Sequence, residues 1–390
     1  MPLHRTVIVL GVVSLFNDIS SDMVWPLLPI FLTQTLQAGP TFLGLVEGIA
    51  ETMASLINLY AGALSDRFRR RKPLAVGGYL LSTLIRGFMA LVTTAWHVVA
   101  IRFVDRIGKG FRSAPRDALI AEVTPAEKRG LAFGFHRAMD HVGALIGPVL
   151  AFVLIQWGHQ DLRGVFLWAI FPGIVAVLVV SLGVHEEVRE KTREARTMPS
   201  GLPQGRSFRC YLGLVVLFTL ANSSDSFILL KASQLGLGVA FVPLLSALLH
   251  VVKALASTPG GWLSDRWGRR PLVILGWALY AVLYGLVGLT SSLVSLWIIV
   301  ALYGIYYGLT EGVQKAWVAD MVESNLRGAA FGWYHMAVGL AVLPANVLFG
   351  TVWEIWGSGA AFLLSAFLAA AAALGLRLFV KADPPRSVGD

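Results

Sequence analysis

The chain has 390 residues, 56% of them hydrophobic and only 14% charged, with a mean hydropathy of +0.69. Soluble domains average about 25% charged residues, so this composition excludes an ordinary soluble globule and points to a chain dissolved in lipid. The formal charge of +9 also fits nucleic-acid binding until the placement of the cations is read, and the single cysteine, Cys210, excludes an intrachain disulfide.

Apolar stretches near 20 residues long, broken by short polar loops, predict an all-α integral membrane protein with twelve transmembrane helices. They fall at 5–33, 42–64, 74–93, 97–119, 130–156, 164–184, 209–231, 237–259, 271–290, 294–318, 328–352 and 357–380. The first follows Arg5 like a signal peptide, but it lacks a small-x-small cleavage site and carries Asp18 and Asp22, so it reads as a retained span. The longest polar stretch separates the sixth and seventh spans. Its part from Glu186 to Arg196 has the composition of a short surface helix, and Pro199 to Gly205 reads as a linker. Two six-helix bundles are expected, 1–184 and 209–390, joined by a cytoplasmic segment at 185–208.

Alternate loops hold the cations: Arg67, Arg69, Arg70, Arg71 and Lys72, then Lys128 and Arg129, then Arg189 to Arg196, then Arg266, Arg269 and Arg270, then Arg327, and finally Lys381 and Arg386. The opposite loops carry little beyond Arg163. Positive loops stay cytoplasmic, which puts both termini inside and accounts for the net charge without nucleic acid. Trp96, Trp157, Trp353 and Trp356 near the outer ends, with Trp262 and Trp267 near the inner ends, fit interfacial belts.

The chain repeats itself. Gly62-Ala-Leu-Ser-Asp66-Arg67-Phe-Arg69-Arg70 returns as Gly261-Trp-Leu-Ser-Asp265-Arg266-Trp-Gly268-Arg269-Arg270, 199 residues on. Arg129-Gly130 with Phe133-Gly134-Phe135 returns as Arg327-Gly328 with Phe331-Gly332-Trp333, 198 residues on. Internal repeats in an apolar chain are how many secondary transporters are built, with the substrate site between the halves.

These paired loops resemble the loop motif of the major facilitator superfamily, and the resemblance covers the whole chain. The first copy departs from the pattern: Arg69 stands where the motif has glycine, and Lys72 reads as an extra residue before Pro73. The resemblance implies that Asp66 faces the start of span 11 near Arg327 and Asp265 the start of span 5 near Arg129. Asp66, Arg67, Asp265 and Arg266 then act as cytoplasmic latches; the bland alternative makes the two aspartates simple helix caps. Gly134, Gly143 and Gly147-Pro148 in span 5 resemble the antiporter motif of the drug:proton exporters, with Ala151-Phe152 replacing its final glycines. That likeness implies close packing of Gly143, Gly147 and Pro148 on the other half; ordinary glycine-mediated helix packing is the alternative. Arg102 matches the arginine of the family's span-4 motif, with Arg106 where that motif has glycine.

Span 4 is the most unusual segment. Arg102, Asp105, Arg106, Lys109, Arg112, Arg116 and Asp117 fall within roughly a 140° arc at about 100° per residue. A charge at the bilayer centre costs at least about 2.5–3.5 kcal/mol, so this face must meet water or partner charges, and Pro115 is expected to loosen the helix near its inner end. Partners are on hand in Asp18 and Asp22, Glu47 and Glu51, Arg86, and His136, Arg137, Asp140 and His141. The N-terminal half holds seven membrane cations (Arg86, Arg102, Arg106, Lys109, Arg112, Arg116, Arg137) and seven acids (Asp18, Asp22, Glu47, Glu51, Asp105, Asp117, Asp140). A cationic stripe suits an anionic substrate; a balanced set suits an internal ion-pair network. The mid-depth members Asp22, Arg106, Lys109 and Asp140 are the better site candidates. Asp140, beside His136 and expected to face span 4, is the first candidate for a proton carrier and Asp22 the second. In the second half, Asn222-Ser-Ser-Asp225 echoes Ser20-Ser21-Asp22, His250 and Lys253 lie in span 8, and span 10 presents Tyr303, Tyr307, Glu311 and Gln314.

Two function classes compete. The leading one is a monomeric secondary transporter of the inner membrane, with no cofactor, moving a small organic molecule, with anions among the candidates, outward against protons; proton-coupled import of an organic anion or anionic metal chelate is its variant. The other is a membrane-embedded enzyme using His136, Asp140 and His141, against which stand the missing nucleophile elbow, metal-ligand spacing and phosphate loop.

Overall fold

The structure, a computed structural model, describes residues 3–67, 71–125, 129–184, 205–322 and 327–380, except for the side chains of 58–67, 114, 129–130 and 327–329. The polar segment at 185–204, where a surface helix and linker are expected, lies outside the described residues. Among the described residues all regular structure is helical.

The first span begins as α1 (Arg5–Val24), where the His4 imidazole accepts from the Thr6 N–H at 3.2 Å. Pro26 and Pro29 remove two ladder donors, and the helix continues as a 3-10 turn, α2 (Leu28–Ile30) and a π turn at Phe31–Thr35. There follow α3 (Pro40–Arg67), α4 (Lys72–Gly87), α5 (Ala95–Glu122), α6 (Arg129–Gln156), and α7 (Leu162–Trp168) running on into α8 (Ile170–Gly183). Asp161 caps α7, its carboxylate accepting from the Gly164 N–H at 2.8 Å. Pro115 lies inside α5, which stays helical through it to Glu122.

The seventh span is two helices, α9 (Arg206–Ala221) and α10 (Ser226–Gln234), separated by a non-helical stretch around Asn222 to Ser224. Then come α11 (Val242–Trp267), α12 (Arg269–Leu289), α13 (Leu293–Asp320) and α14 (Arg327–Phe379). Gly268 at φ 90° turns the chain from α11 into α12, and Gly357 at φ 86° breaks α14 internally, a conformation that L side chains rarely adopt.

Nine helical stretches among the described residues are long and apolar enough to cross a membrane. The chain is therefore an all-α, multi-span membrane protein. α3 and α5, 28 residues each, fall outside those nine; Glu47 and Glu51 lie on the first, the charged stripe on the second. Leu178, Leu182, Phe367 and Leu378 are more than half exposed, the pattern of a surface solvated by acyl chains. Trp96, Trp157, Trp262, Trp267 and Trp356 are exposed as belt residues should be. Trp353 is not: it is 4% exposed and packs on Phe227, Phe349 and Phe362.

The chain falls into two compact units. One comprises Met1–Gly39, Ile49–Arg196 and Gly236–Ala247; the other comprises Pro40–Gly48, Thr197–Leu235 and Leu248–Asp390. In the first, glycines set the helix spacing. A Cβ on Gly78 of α4 would lie 2.6 Å from the Gly108 carbonyl oxygen of α5. On α6, a Cβ on Gly143 would lie 2.6 Å from the Leu15 carbonyl of α1, and one on Gly147 2.7 Å from the Ile19 carbonyl. In the second unit, a Cβ on Gly304 of α13 would lie 2.6 Å from the Val252 Cβ of α11. Such contacts bring backbones close enough for short polar side chains to meet across helices.

Candidate functional site

In the first unit the α4–α5 contact creates a buried charge centre. The Arg86 guanidinium, 1% exposed, donates to the Asp105 carboxylate at 3.2 Å, to the Asn17 side-chain oxygen and the Ser20 hydroxyl at 2.9 Å, and to the Asn17 carbonyl at 3.2 Å. Arg112 donates to the Ser82 hydroxyl at 2.6 Å and lies over the Tyr79 ring. Arg102 stacks 4.3 Å from the Trp25 ring centre, and Arg106 pairs with Glu51 of α3 at 3.2 Å. The stripe on α5 is thus met by α1, α3 and α4, which is how one helix carries so much charge.

The α1–α6 contact creates a second group. Asp140 accepts a short hydrogen bond from the Ser14 hydroxyl of α1, with His136 Nδ1 at 3.6 Å and Arg137 at 3.7 Å. That cross-helix hydrogen bond is to α1, while Arg116 of span 4 acts on Asp140 through its field. The far nitrogen of His136, Nε2, is buried without a hydrogen-bond partner among the described residues. One turn along α1, Asp18 accepts from the Asn17 amide at 2.8 Å. Asp22 has no hydrogen-bond or ion-pair partner among the described residues, and neither has Lys109; Asp22 sits in the field of Asp18, Arg86, Lys109 and Arg106. Gly143 and Gly147 line this same contact, with Asp18 and Asp22 beside them, and Pro148 is buried. The close packing of the two glycines is on α1 of their own unit.

Glu47 is 4% exposed and accepts from the Ser226 hydroxyl of α10 at 3.1 Å.

The second unit has its own polar centre, which sequence reasoning did not assemble. Lys253 of α11 lies beside Asp225, just before α10, with nitrogen and oxygen 2.8 Å apart. Tyr303 and Tyr307 donate to the same carboxylate at 3.0 and 3.1 Å, and the Lys253 ammonium lies 3.5 Å from the Tyr307 ring centre. Tyr280, Tyr284 and Tyr306 pack around them. The one available signal was the echo of Ser20-Ser21-Asp22 in Asn222-Ser-Ser-Asp225. Gln314 is elsewhere, buried and accepting from the Tyr334 hydroxyl at 3.0 Å, while Glu311 is half exposed with Lys315 at 3.9 Å.

At the inner ends, Arg269 of the second loop motif reaches Asp265 at 2.7 Å, Asp320 at 3.5 Å and the Ser264 hydroxyl. Arg266 stacks 3.9 Å from the Trp262 ring centre. In the first copy Arg71 pairs with Glu122 at 3.3 Å. Arg71–Glu122 and Arg269–Asp320 are equivalent pairs, 198 residues apart. Arg71 is thereby the counterpart of Arg269, and the extra residue precedes Arg71 instead of being Lys72. The side chains of Asp66, Arg67, Arg129 and Arg327 lie outside the described residues.

Comparison with known proteins agrees with this architecture. An uncharacterized MFS-type transporter of Methanocaldococcus jannaschii is 32% identical over 360 residues, 90% of this chain and 89% of the relative. The multidrug resistance protein MdtH of Photorhabdus laumondii is 22% identical over 332 residues, 82% of this chain and 79% of that protein. A crystal structure of a variant of the nucleoside transporter NupG superposes with a TM-score of 0.84 at 13% identity, covering 96% of this chain and all of that one. Fold and relatives are those of transporters, not of enzymes. The family model of the Major Facilitator Superfamily matches residues 10–230 and again 210–390. The chain belongs to the major facilitator superfamily.

Proposed function

We propose that this protein is a proton-coupled exporter of a small organic molecule, working by alternating access in the plasma membrane as a monomer without a cofactor. The observation that carries this reading is the α1–α6 contact. It holds Asp140 against Ser14, His136 and Arg137, and beside it Asp22, without a bonded partner among the described residues, in a field of both signs. A carboxylate that gains and loses partners as helices shift is a proton carrier. The glycine pattern that forms the contact is the one resembling the drug:proton exporters, and the relative MdtH, a multidrug resistance protein, supports the outward direction.

Counting α3, α5 and the two arms of α14 with the other stretches gives twelve crossings, with both termini cytoplasmic. The bodies that rock are 1–184 and 209–390, latched inside by Asp66/Arg67 and Asp265/Arg266 with Arg129 and Arg327 at the facing helix starts. The pathway residues of the first bundle are Asp18, Asp22, Arg106, Lys109 and Asp140. A second reading, import of an organic anion, is favoured by Lys109, a cation without a bonded partner among the described residues.

Proteoliposomes decide between them. A panel containing tetraphenylphosphonium and benzoate is offered to vesicles with imposed pH gradients. An exchanger accumulates its solute when the lumen is acid; a cotransporter does so when the lumen is alkaline. Around Asp140 lie Ser14 and Asp18 of α1, Arg116 of α5, and His136 and Arg137 of its own helix. Asp140→Asn keeps the Ser14 contact but carries no proton, so it abolishes gradient-driven accumulation and leaves solute binding in place. Undiminished coupling in that variant removes Asp140 from the mechanism.

A further inference from the structure

The Asp225 centre combines a carboxylate, an ammonium and a tyrosine face in one place. A carboxylate on one side and the face of a tyrosine ring on the other is how proteins bind ammonium groups, because both the anion and the ring quadrupole attract a cation. Here the Lys253 ammonium fills that place, 2.8 Å from Asp225 and 3.5 Å from the Tyr307 ring centre. Asp225 is well supplied with donors besides Lys253, since both tyrosine hydroxyls bond it. It keeps two partners when the lysine leaves.

The pair is also reachable: the side chains of Asp225 and Lys253 are 30% and 17% exposed. A structural ion pair sealed in a core has no need of that opening. Asp225 follows the break between α9 and α10, and discontinuous helices are where transporters place their sites. At the break itself the side-chain oxygen of Asn222 is buried without a hydrogen-bond partner among the described residues. The surroundings are aromatic, with Tyr284 and Tyr306 within 5.5 and 4.9 Å of Tyr303 and Tyr307 respectively, ring centre to ring centre.

We propose that the Asp225 carboxylate and the Tyr307 ring form an organic-cation site that Lys253 occupies in the ligand-free protein, so that a lipophilic cation binds by displacing the lysine. This rests on the transporter reading and names its substrate class. Lys253 acts as a tethered competitor, which sets a ceiling on affinity and clears the site of solute after release.

The test is equilibrium binding of radiolabelled tetraphenylphosphonium to the purified full-length protein, with benzoate as the anionic control. Lys253→Met removes the competitor while keeping the length of the stem, and is expected to tighten tetraphenylphosphonium binding at least tenfold. That gain cannot come from misfolding. Asp225→Asn is expected to abolish binding, and Tyr307→Leu to weaken it at least tenfold while the ion pair survives. Weaker or unchanged binding in Lys253→Met overturns the proposal. So does absence of tetraphenylphosphonium binding in every form, or benzoate binding that Lys253→Met abolishes, which would make Lys253 an anion's partner. Gradient-driven uptake of any panel solute by the wild type, on the same preparation, reports on the transporter reading separately.

Discussion

Arg86 is the residue on which the charges of the first unit turn. It is almost fully buried, and its guanidinium makes four hydrogen bonds, to Asp105, Asn17 and Ser20, joining α1, α4 and α5. Removing one member of a buried pair strands the other. Arg86→Met is therefore expected to cost about 3–5 kcal/mol, read as a fall in the thermal midpoint of the purified protein. Arg86→Met combined with Asp105→Leu should recover much of that loss, because no charge is then left alone. A double variant no more stable than the single one would mean that Asn17 and Ser20, not Asp105, account for the cost. In the sequence Arg86 was one cation of seven, and nothing marked it as the hub. Three of its four acceptors come from the uncharged Asn17 and Ser20, which a charge count passes over. His136 and Asp140, four apart on one helix, were legible because their partnership is local; the Ser14 bond was not, since it depends on how closely α6 approaches α1.

That approach is a property of helices, set by which glycines face backbone. Gly134, Gly143 and Gly147 all belong to the motif resembling the exporters, yet they are not alike. A Cβ on Gly143 or Gly147 meets the α1 backbone, while one on Gly134 meets nothing within 4 Å. Gly143→Leu is expected to push α6 from α1, break the Ser14–Asp140 bond and abolish transport, with a loss of stability of about 1–3 kcal/mol from overpacking. Gly134→Leu should be close to neutral in the same assays. Equal damage from both would show that the motif works through something other than this contact. The break between α9 and α10 shows the limit of hydropathy. Its Asn222-Ser-Ser-Asp225 lies inside one apolar stretch, so the sequence reads as a single span although the backbone leaves the helix there. Asp225 and Lys253 are 28 residues apart on different spans, and only tertiary packing of α11 against the start of α10 unites them.

For the molecule as a whole, the repeat was the most legible feature, because it is written in identities and not in contacts. It reappears as geometry in Arg71–Glu122 and Arg269–Asp320, two inner-end pairs spaced alike in their halves. The same feature bears on topology. Among the described residues nine stretches are apolar enough to cross a membrane, and an odd count would put the termini on opposite sides. On the proposed twelve-span topology, hydropathy undercounts for physical reasons. α5 has its charges neutralised by α1, α3 and α4, so it needs no apolar face on that side. α14 is 53 residues long, about 80 Å at 1.5 Å per residue, far more than the roughly 30 Å hydrocarbon thickness, and Gly357 interrupts it with a non-helical kink. Splitting α14 and adding α3 and α5 restores an even number. In a Cys210→Ser background, intact cells treated with a membrane-impermeant maleimide should then label His159→Cys and leave Leu3→Cys and Ser387→Cys unlabelled until the membrane is permeabilised. Labelling of one terminus but not the other from outside would mean that α3, α5 or one arm of α14 does not cross, and the repeat would then have to be read as one of sequence without equal topology.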